Sequence, residues 1–314
     1  MLNSNQSSTL LRRFVVATHG YAQERYAQER KVKIWASLFP LAAKAALLAA
    51  FFYTTQSHAD TRTVIAHWTF SESSGPVINA GPVVEGQSSV NHNGWVGYTA
   101  SADDDTEVER NTDQAIFNGN RNSIILIDDA HHTDLNPGDG SLIVTMEFQV
   151  NQSALDDKAL APKETWNLIQ KGRFNNAGGQ WKIQIRKGPQ KRLFLQCLIN
   201  DNKPGTKREA GQIHLEDRWV ANKHTLLGRC TLNRQTNELK LELTDLKSGK
   251  TVASVANAIS KNFGAVAPES GACGTPESFG GNVAIGNKPL CPDQELDTND
   301  AFQGAVSSVL IERF

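Results

Sequence analysis

From residue 60 onward the chain alternates apolar and polar residues in short runs, and Gly, Asn, Asp and Pro break the runs apart. No stretch there holds a long 3.6-residue apolar period, so the pattern predicts strands rather than helices. The clearest run is 142–150, where Val144, Met146, Phe148 and Val150 share one phase and Ile143, Thr145, Glu147 and Gln149 the other. Residues 166–171 and 180–187 predict a hairpin around a glycine-rich loop, Gly172 to Gly179. In its second strand Trp181, Ile183 and Ile185 point one way and Lys182, Gln184 and Arg186 the other. Further strands are expected at 64–70, 115–117, 123–127, 193–199, 224–232, 239–243, 251–255, 283–286 and 305–312. Roughly a dozen short strands with few helices make an all-β, two-sheet antiparallel sandwich.

The first 59 residues have a different character. A polar, net-basic head carries a tandem repeat, Tyr21-Ala-Gln-Glu-Arg25 then Tyr26-Ala-Gln-Glu-Arg30, and an apolar run follows at 34–53. Ser57 and Ala59 place small residues at the -3 and -1 positions of a signal-peptidase site before Asp60. The expectation is an N-terminal signal or anchor helix in segment 1–59, cleaved after residue 59, and one domain over 60–314. A retained anchor is the alternative, since the run is long enough to span a bilayer. Lys44 inside it opposes that by roughly 2.5–3.5 kcal/mol. Either way the domain is expected outside the cytoplasm, secreted or tethered by one span, with no other membrane contact.

Charge narrows the partners. The 314-residue chain has 32 basic and 33 acidic residues, a formal net charge of -1. That balance speaks against nucleic acid, which selects basic surfaces. The hydrophobic share, 39%, supports a full core. Cys197, Cys230, Cys273 and Cys291 form no C-x-x-C pair, so downstream of an export signal they read as two disulfides rather than a zinc site. Spacing alone leaves three pairings open.

Several segments resemble a known family. Leu135-Asn-Pro-Gly-Asp-Gly-Ser-Leu-Ile-Val-Thr-Met-Glu-Phe148 resembles the opening of a laminin-G-like, concanavalin A-like jelly roll. Asn167-Leu-Ile-Gln-Lys-Gly172 with Gly178-Gly-Gln-Trp-Lys-Ile-Gln-Ile185 is similar to the paired strands of its bacterial members. Trp219, His224 and Cys230, and then Phe302-Gln-Gly304 with Val306 and Val309, resemble later elements, so the likeness spans about 64–314. The resemblance implies a lectin-type jelly roll but no single activity, because the family includes lectins, adhesion modules, glycosidases and lyases. Its fold places Cys197 and Cys230 on near-neighbour strands, which implies the pairs Cys197–Cys230 and Cys273–Cys291, each worth about 3 kcal/mol. Many members carry acids in the closing strand for a structural calcium. Here the stretch is Gly304-Ala-Val-Ser-Ser-Val309, and Ser307 and Ser308 put that calcium in doubt. Glu72 is read as a surface residue before a calcium remnant.

No residue set stands out as catalytic. Glu295-Leu-Asp-Thr-Asn-Asp300 superficially resembles the paired acids of retaining glucanases, which stand about 5–5.5 Å apart, but its polar setting reads as a solvated loop. Gln212-Ile-His214 matches a tripeptide of alginate lyases without their arginine-rich and tyrosine-bearing strands, and is read as a chance match. His131 and His132, between Asp128-Asp129 and Asp134, read as a turn, because adjacent side chains on an extended chain diverge. What remains is a polar sheet face. Glu147, Gln149, Lys182, Gln184 and Arg186, with Trp95 as the exposed-aromatic candidate, are expected to bind carbohydrate, and Lys182 and Arg186 favour acidic sugars. The function expected is a non-catalytic recognition module for carbohydrate or cell-surface glycan. A polysaccharide-degrading enzyme and a protein-binding adhesion module are the alternatives.

Overall fold

A computed structural model of the protein describes residues 62–81, 92–97, 108–111, 113–120, 122–127, 129, 134–156, 160, 164–173, 178–201, 203, 208–268, 282–288 and 300–314. They fall within one compact unit, Arg62–Phe314. The 1–59 segment with its apolar run, the His131-His132 pair, Cys273, Cys291 and the acidic residues 295–299 lie outside the described residues.

Two antiparallel sheets make the architecture. The first holds β1 (Thr63–Trp68), β3 (Val108–Arg110), β4 (Ala115–Asn118), β6 (Leu142–Val150), β11 (Leu226–Asn233), β12 (Glu238–Asp245), β13 (Lys250–Ala258) and β15 (Gln303–Arg313). Its order is β13-β12-β11-β6-β15-β4-β3, and β1 pairs with the second half of β15. The second sheet holds β2 (Gly94–Val96), β5 (Ile125–Ile127), β7 (Thr165–Gly172), β8 (Gln180–Lys187), β9 (Leu193–Asn200), β10 (Glu209–Leu215) and β14 (Val283–Ile285), in the order β10-β9-β8-β7-β14-β5-β2. A short helix, α1 (Asp217–Ala221), buries Trp219 ahead of β11.

Period-2 patterning accounts for the layers. In β6, β11 and β12 every second side chain is buried, and those residues (Val144, Met146 and Phe148; Leu226, Cys230 and Leu232; Leu239, Leu241 and Leu243) enter one core shared with Trp166, Trp181, Ile183, Ile185 and Leu195 of the second sheet. β7 departs from strict alternation. Its register with β8 shifts between Asn167 and Ile169, so Leu168 and Ile169 both enter the core and Gln170 returns to the outer side.

Cys197 and Cys230 are joined, with Cα atoms 5.9 Å apart. The pair is the one expected, and because β9 and β11 belong to opposite sheets the bond crosses the core. Facing sheets normally stand about 10 Å apart. The close approach is matched beside it, where Gly211 of β10 pairs with Cys197 in register and an added Cβ there would sit 3.2 Å from Leu241 Cβ in β12.

Candidate functional site

The structure divides the sequence-predicted residues between two surfaces. Thr145, Glu147 and Gln149 lie on the outer face of the first sheet, while Lys182, Gln184 and Arg186 lie on the outer face of the second. Trp95 lies on that second face too, in the cross-strand row that runs Trp95, Leu126, Ala284, Gln170, Lys182. Four strand spacings separate it from Lys182, roughly 19 Å. It packs there against a small apolar cluster of Ile124, Leu126 and Ala284.

On the first sheet most outer polar groups pair with one another, though Thr145 Oγ1 and Arg229 Nε have no partner. Gln149 Nε2 donates to Thr225 Oγ1 at 2.8 Å, and Ser307 Oγ donates to Glu147 Oε2 at 3.3 Å. Arg229 pairs with Glu312 at 3.4 Å and Lys240 with Glu242 at 2.8 Å. Ser308 Oγ meets His67 Nε2 at 3.2 Å. Two hydroxyls engaged in this way do not supply the carboxylate-rich oxygen set that calcium needs. Glu72 is half-buried and accepts from Ser71 Oγ at 3.5 Å.

The second sheet has a different outer face. Register places Asn167, Gln184, Gln196 and Gln212 side by side on β7, β8, β9 and β10. Gln184 Nε2 donates to Gln196 Oε1 at 2.7 Å, and Gln196 Nε2 donates in turn to Gln212 Oε1. Three strand gaps make this amide row roughly 14 Å long. Asn167, Gln184 and Gln196 are 1%, 3% and 5% exposed, whereas Gln212 is open to solvent. Two buried polar atoms in the row, Asn167 Nδ2 and Gln184 Oε1, have no partner. Alongside runs a second row, Thr165, Arg186, Phe194 and His214. The Phe194 and His214 rings lie 5.6 Å apart at its open end.

Cations flank the amides. Lys182 is partly buried and donates to Asn167 Oδ1 at 3.4 Å. Burial pulls its ammonium from an ordinary 10.5 down to about 8; Asp300 opposes that shift, and Arg208 and Lys288 add to it. Asp300 accepts from Thr165 Oγ1 at 2.6 Å and pairs with Lys288 Nζ at 3.0 Å. Burial and the neighbouring Arg186 both lower Arg208 from its ordinary value. The sequence pattern does not single out Gln196, Phe194, Arg208 or Lys288, and it marks Asn167 only as part of a family-like strand. Gln212 and His214 stand out in the sequence only as part of a tripeptide, without a strand pattern around them. The available signal was the odd polar residue, Gln196, inside the apolar run 193–199.

A second polar cluster is enclosed inside one end of the sandwich. Lys171 and Asp129 form a fully buried ion pair. His92 bridges two acids, with Nδ1 3.6 Å from Asp129 Oδ1 and Nε2 3.8 Å from Asp134 Oδ2. Burial lowers the Arg313 guanidinium from its ordinary value, against the pull of Asp134 and Asp129. The two acids address different imidazole nitrogens, and a lysine ammonium already sits on Asp129. Among the described residues no group of three or more His, Cys, Asp or Glu is placed to hold a metal ion.

No protein-family model matches the sequence, and no curated protein matches it. Among solved structures the chain is similar to the binding domain of botulinum neurotoxin serotype G, with a TM-score of 0.50 and 11% identity over 79% of this chain and 47% of that one. It is also similar to the binding domain of Paraclostridial Mosquitocidal Protein 1 (TM-score 0.46, 12% identity, 80% of this chain and 48% of that one). A weaker likeness reaches the LG1-3 region of the laminin alpha2 chain (TM-score 0.34, 10% identity, 55% of this chain and 27% of that one). The chain spans about half the length of the two binding domains it matches. At such identities the likeness shows the β-sandwich fold and nothing finer.

Proposed function

We propose that this sandwich is a lectin-like jelly roll, exported from the cytoplasm, that recognises carbohydrate without transforming it. The observation that carries the reading is the amide row of Asn167, Gln184, Gln196 and Gln212 across four adjacent strands, which reaches solvent at Gln212. Amides donate and accept at once, which suits sugar hydroxyls that do the same. The half-buried Phe194 ring beside exposed His214 offers an apolar surface to a sugar face at the open end. A fold neighbour is named a binding domain, and the present reading extends that role to this chain. The export signal or anchor in segment 1–59 belongs to the same proposal.

A degrading enzyme on the same fold is the second reading. One observation favours it: Gln212 and His214 both stand exposed on this face, in register with Gln196 and Phe194, on the rows that also hold Gln184 and Arg186. A glycan-array screen of the purified chain, with and without EDTA, tests both readings when every hit is also assayed for reducing-sugar and unsaturated-uronate release. Binding without product is the expected result. Product release would replace recognition by catalysis. Failure to bind any glycan would overturn both and point to a protein partner.

A further inference from the structure

We propose that Lys182 and Arg186 of β8 form an anion-binding subsite on the outer face of the second sheet, and that the glycan held there bears carboxylate or sulfate groups. The inference rests on the carbohydrate reading above and names the class of sugar.

Position is the first argument. Lys182 and Arg186 lie on the same side of one strand with Gln184 between them, and their cross-strand neighbours on β9 are Leu198 and Phe194. Four residues of strand separate their Cα atoms by roughly 13 Å. That length spans neighbouring acid groups along a glycan chain.

Neither cation forms an ion pair among the described residues. The Lys182 ammonium reaches only the Asn167 amide oxygen, and Arg186 makes no hydrogen bond there. Asp300, the acid nearest in influence to Lys182, is already held by Thr165 and Lys288. The other outer face shows the contrast, for Arg229 and Lys240 each have a glutamate. A half-buried ammonium without a counter-ion favours a ligand that supplies one, because part of its hydration has already been lost. Arg186 adds the planar fork that fits a carboxylate or sulfate through two parallel bonds.

The third argument is the chemistry of burial. Lys182 titrates at about 8, with Arg208 and Lys288 pushing it down and Asp300 holding it up. An anion bound beside it reverses the direction, so binding takes up protons near that pH. Affinity should fall as pH rises from 7 to 9. Arginine side chains do not deprotonate in proteins, so loss of affinity across that range tracks Lys182.

The experiment uses the full chain and an array of neutral, carboxylated and sulfated oligosaccharides, followed by calorimetry on the strongest carboxylated or sulfated hit. A carboxylated hit is paired with its methyl ester, and a sulfated hit with its desulfated form. The expected result is binding confined to acidic sugars, a loss of at least tenfold on esterification or desulfation, and a similar loss in Arg186→Gln and Lys182→Gln. Lys240→Gln, on the opposite face, should bind as the wild type does. Thermal melts show that each variant is folded, and the ester comparison needs no variant at all. Equal binding of neutral and acidic forms would overturn the subsite while leaving glycan recognition standing. Acidic binding that ignores both substitutions would move the site elsewhere and overturn it as well. No binding to any sugar would remove the subsite and the carbohydrate reading together.

Discussion

Lys182 has a consequence for stability that is separate from any ligand. Its folded value of about 8 lies below the ordinary 10.5, chiefly through burial. Between those values the unfolded chain holds more protons than the folded one, so stability rises with pH across that window. The cost of burying the charged ammonium is therefore present in full below pH 8 and relieved above pH 10.5. Lys182→Met removes this dependence. Urea titrations from pH 7 to 10.5 should show the wild type gaining on the variant by at most about 3 kcal/mol. A gap that stays flat with pH would mean the ammonium is better solvated than its position indicates. Gln196 makes a second prediction. Gln196→Leu strips the acceptor from the buried Gln184 amide, and the unsatisfied donor should cost about 1–3 kcal/mol by chemical denaturation.

At the scale of the element, strand phase was legible and strand pairing was not. Alternation in 180–187 sends Lys182, Gln184 and Arg186 outward, and β8 does so. The same rule applied to β7 groups Gln170 with Trp166 and Leu168, whereas the register shift after Asn167 turns Gln170 outward and Lys171 into the interior. A bulge leaves no clear mark in one sequence, and without it the Lys171–Asp129 pair cannot be foreseen. β9 hid its polar face differently: Phe194 and Leu198 flank Gln196 on the outward phase, so the run looks apolar on both sides. β10 was missed as a strand because Gly211 and the polar residues on either side of it weaken the signal. That glycine is required by the packing, since Leu241 and Val255 of the other sheet fill the space where a side chain would go. Gly211→Val should force the sheets apart and cost about 1–3 kcal/mol, as overpacking does, with a lower thermal midpoint as the readout. An unchanged midpoint would show that the sheets have slack at this edge.

For the whole molecule, the two-sheet sandwich followed from the density of short alternating runs, but which strand belongs to which sheet did not. Cys197 and Cys230 show the difference. An even cysteine count predicts a bond, and the family likeness suggests this pair. Only the strand order reveals that the bond joins β9 of one sheet to β11 of the other. Its effect is therefore global. A bridge within one sheet would tie strands that hydrogen bonds already hold, while this one holds together two layers that otherwise meet mainly through apolar contact. The loop it closes has a sequence separation of 33, for which the chain-entropy argument gives about 3–4 kcal/mol. The double substitution Cys197→Ala with Cys230→Ala removes the bond and leaves two small apolar groups in the core. Its denaturation midpoint should fall by an amount equivalent to about 2–4 kcal/mol in a single transition. Two separate transitions would instead mean that the sheets unfold independently once uncoupled. In that case the amide row on the second sheet would owe its alignment to the bridge, and glycan affinity should fall in the same variant.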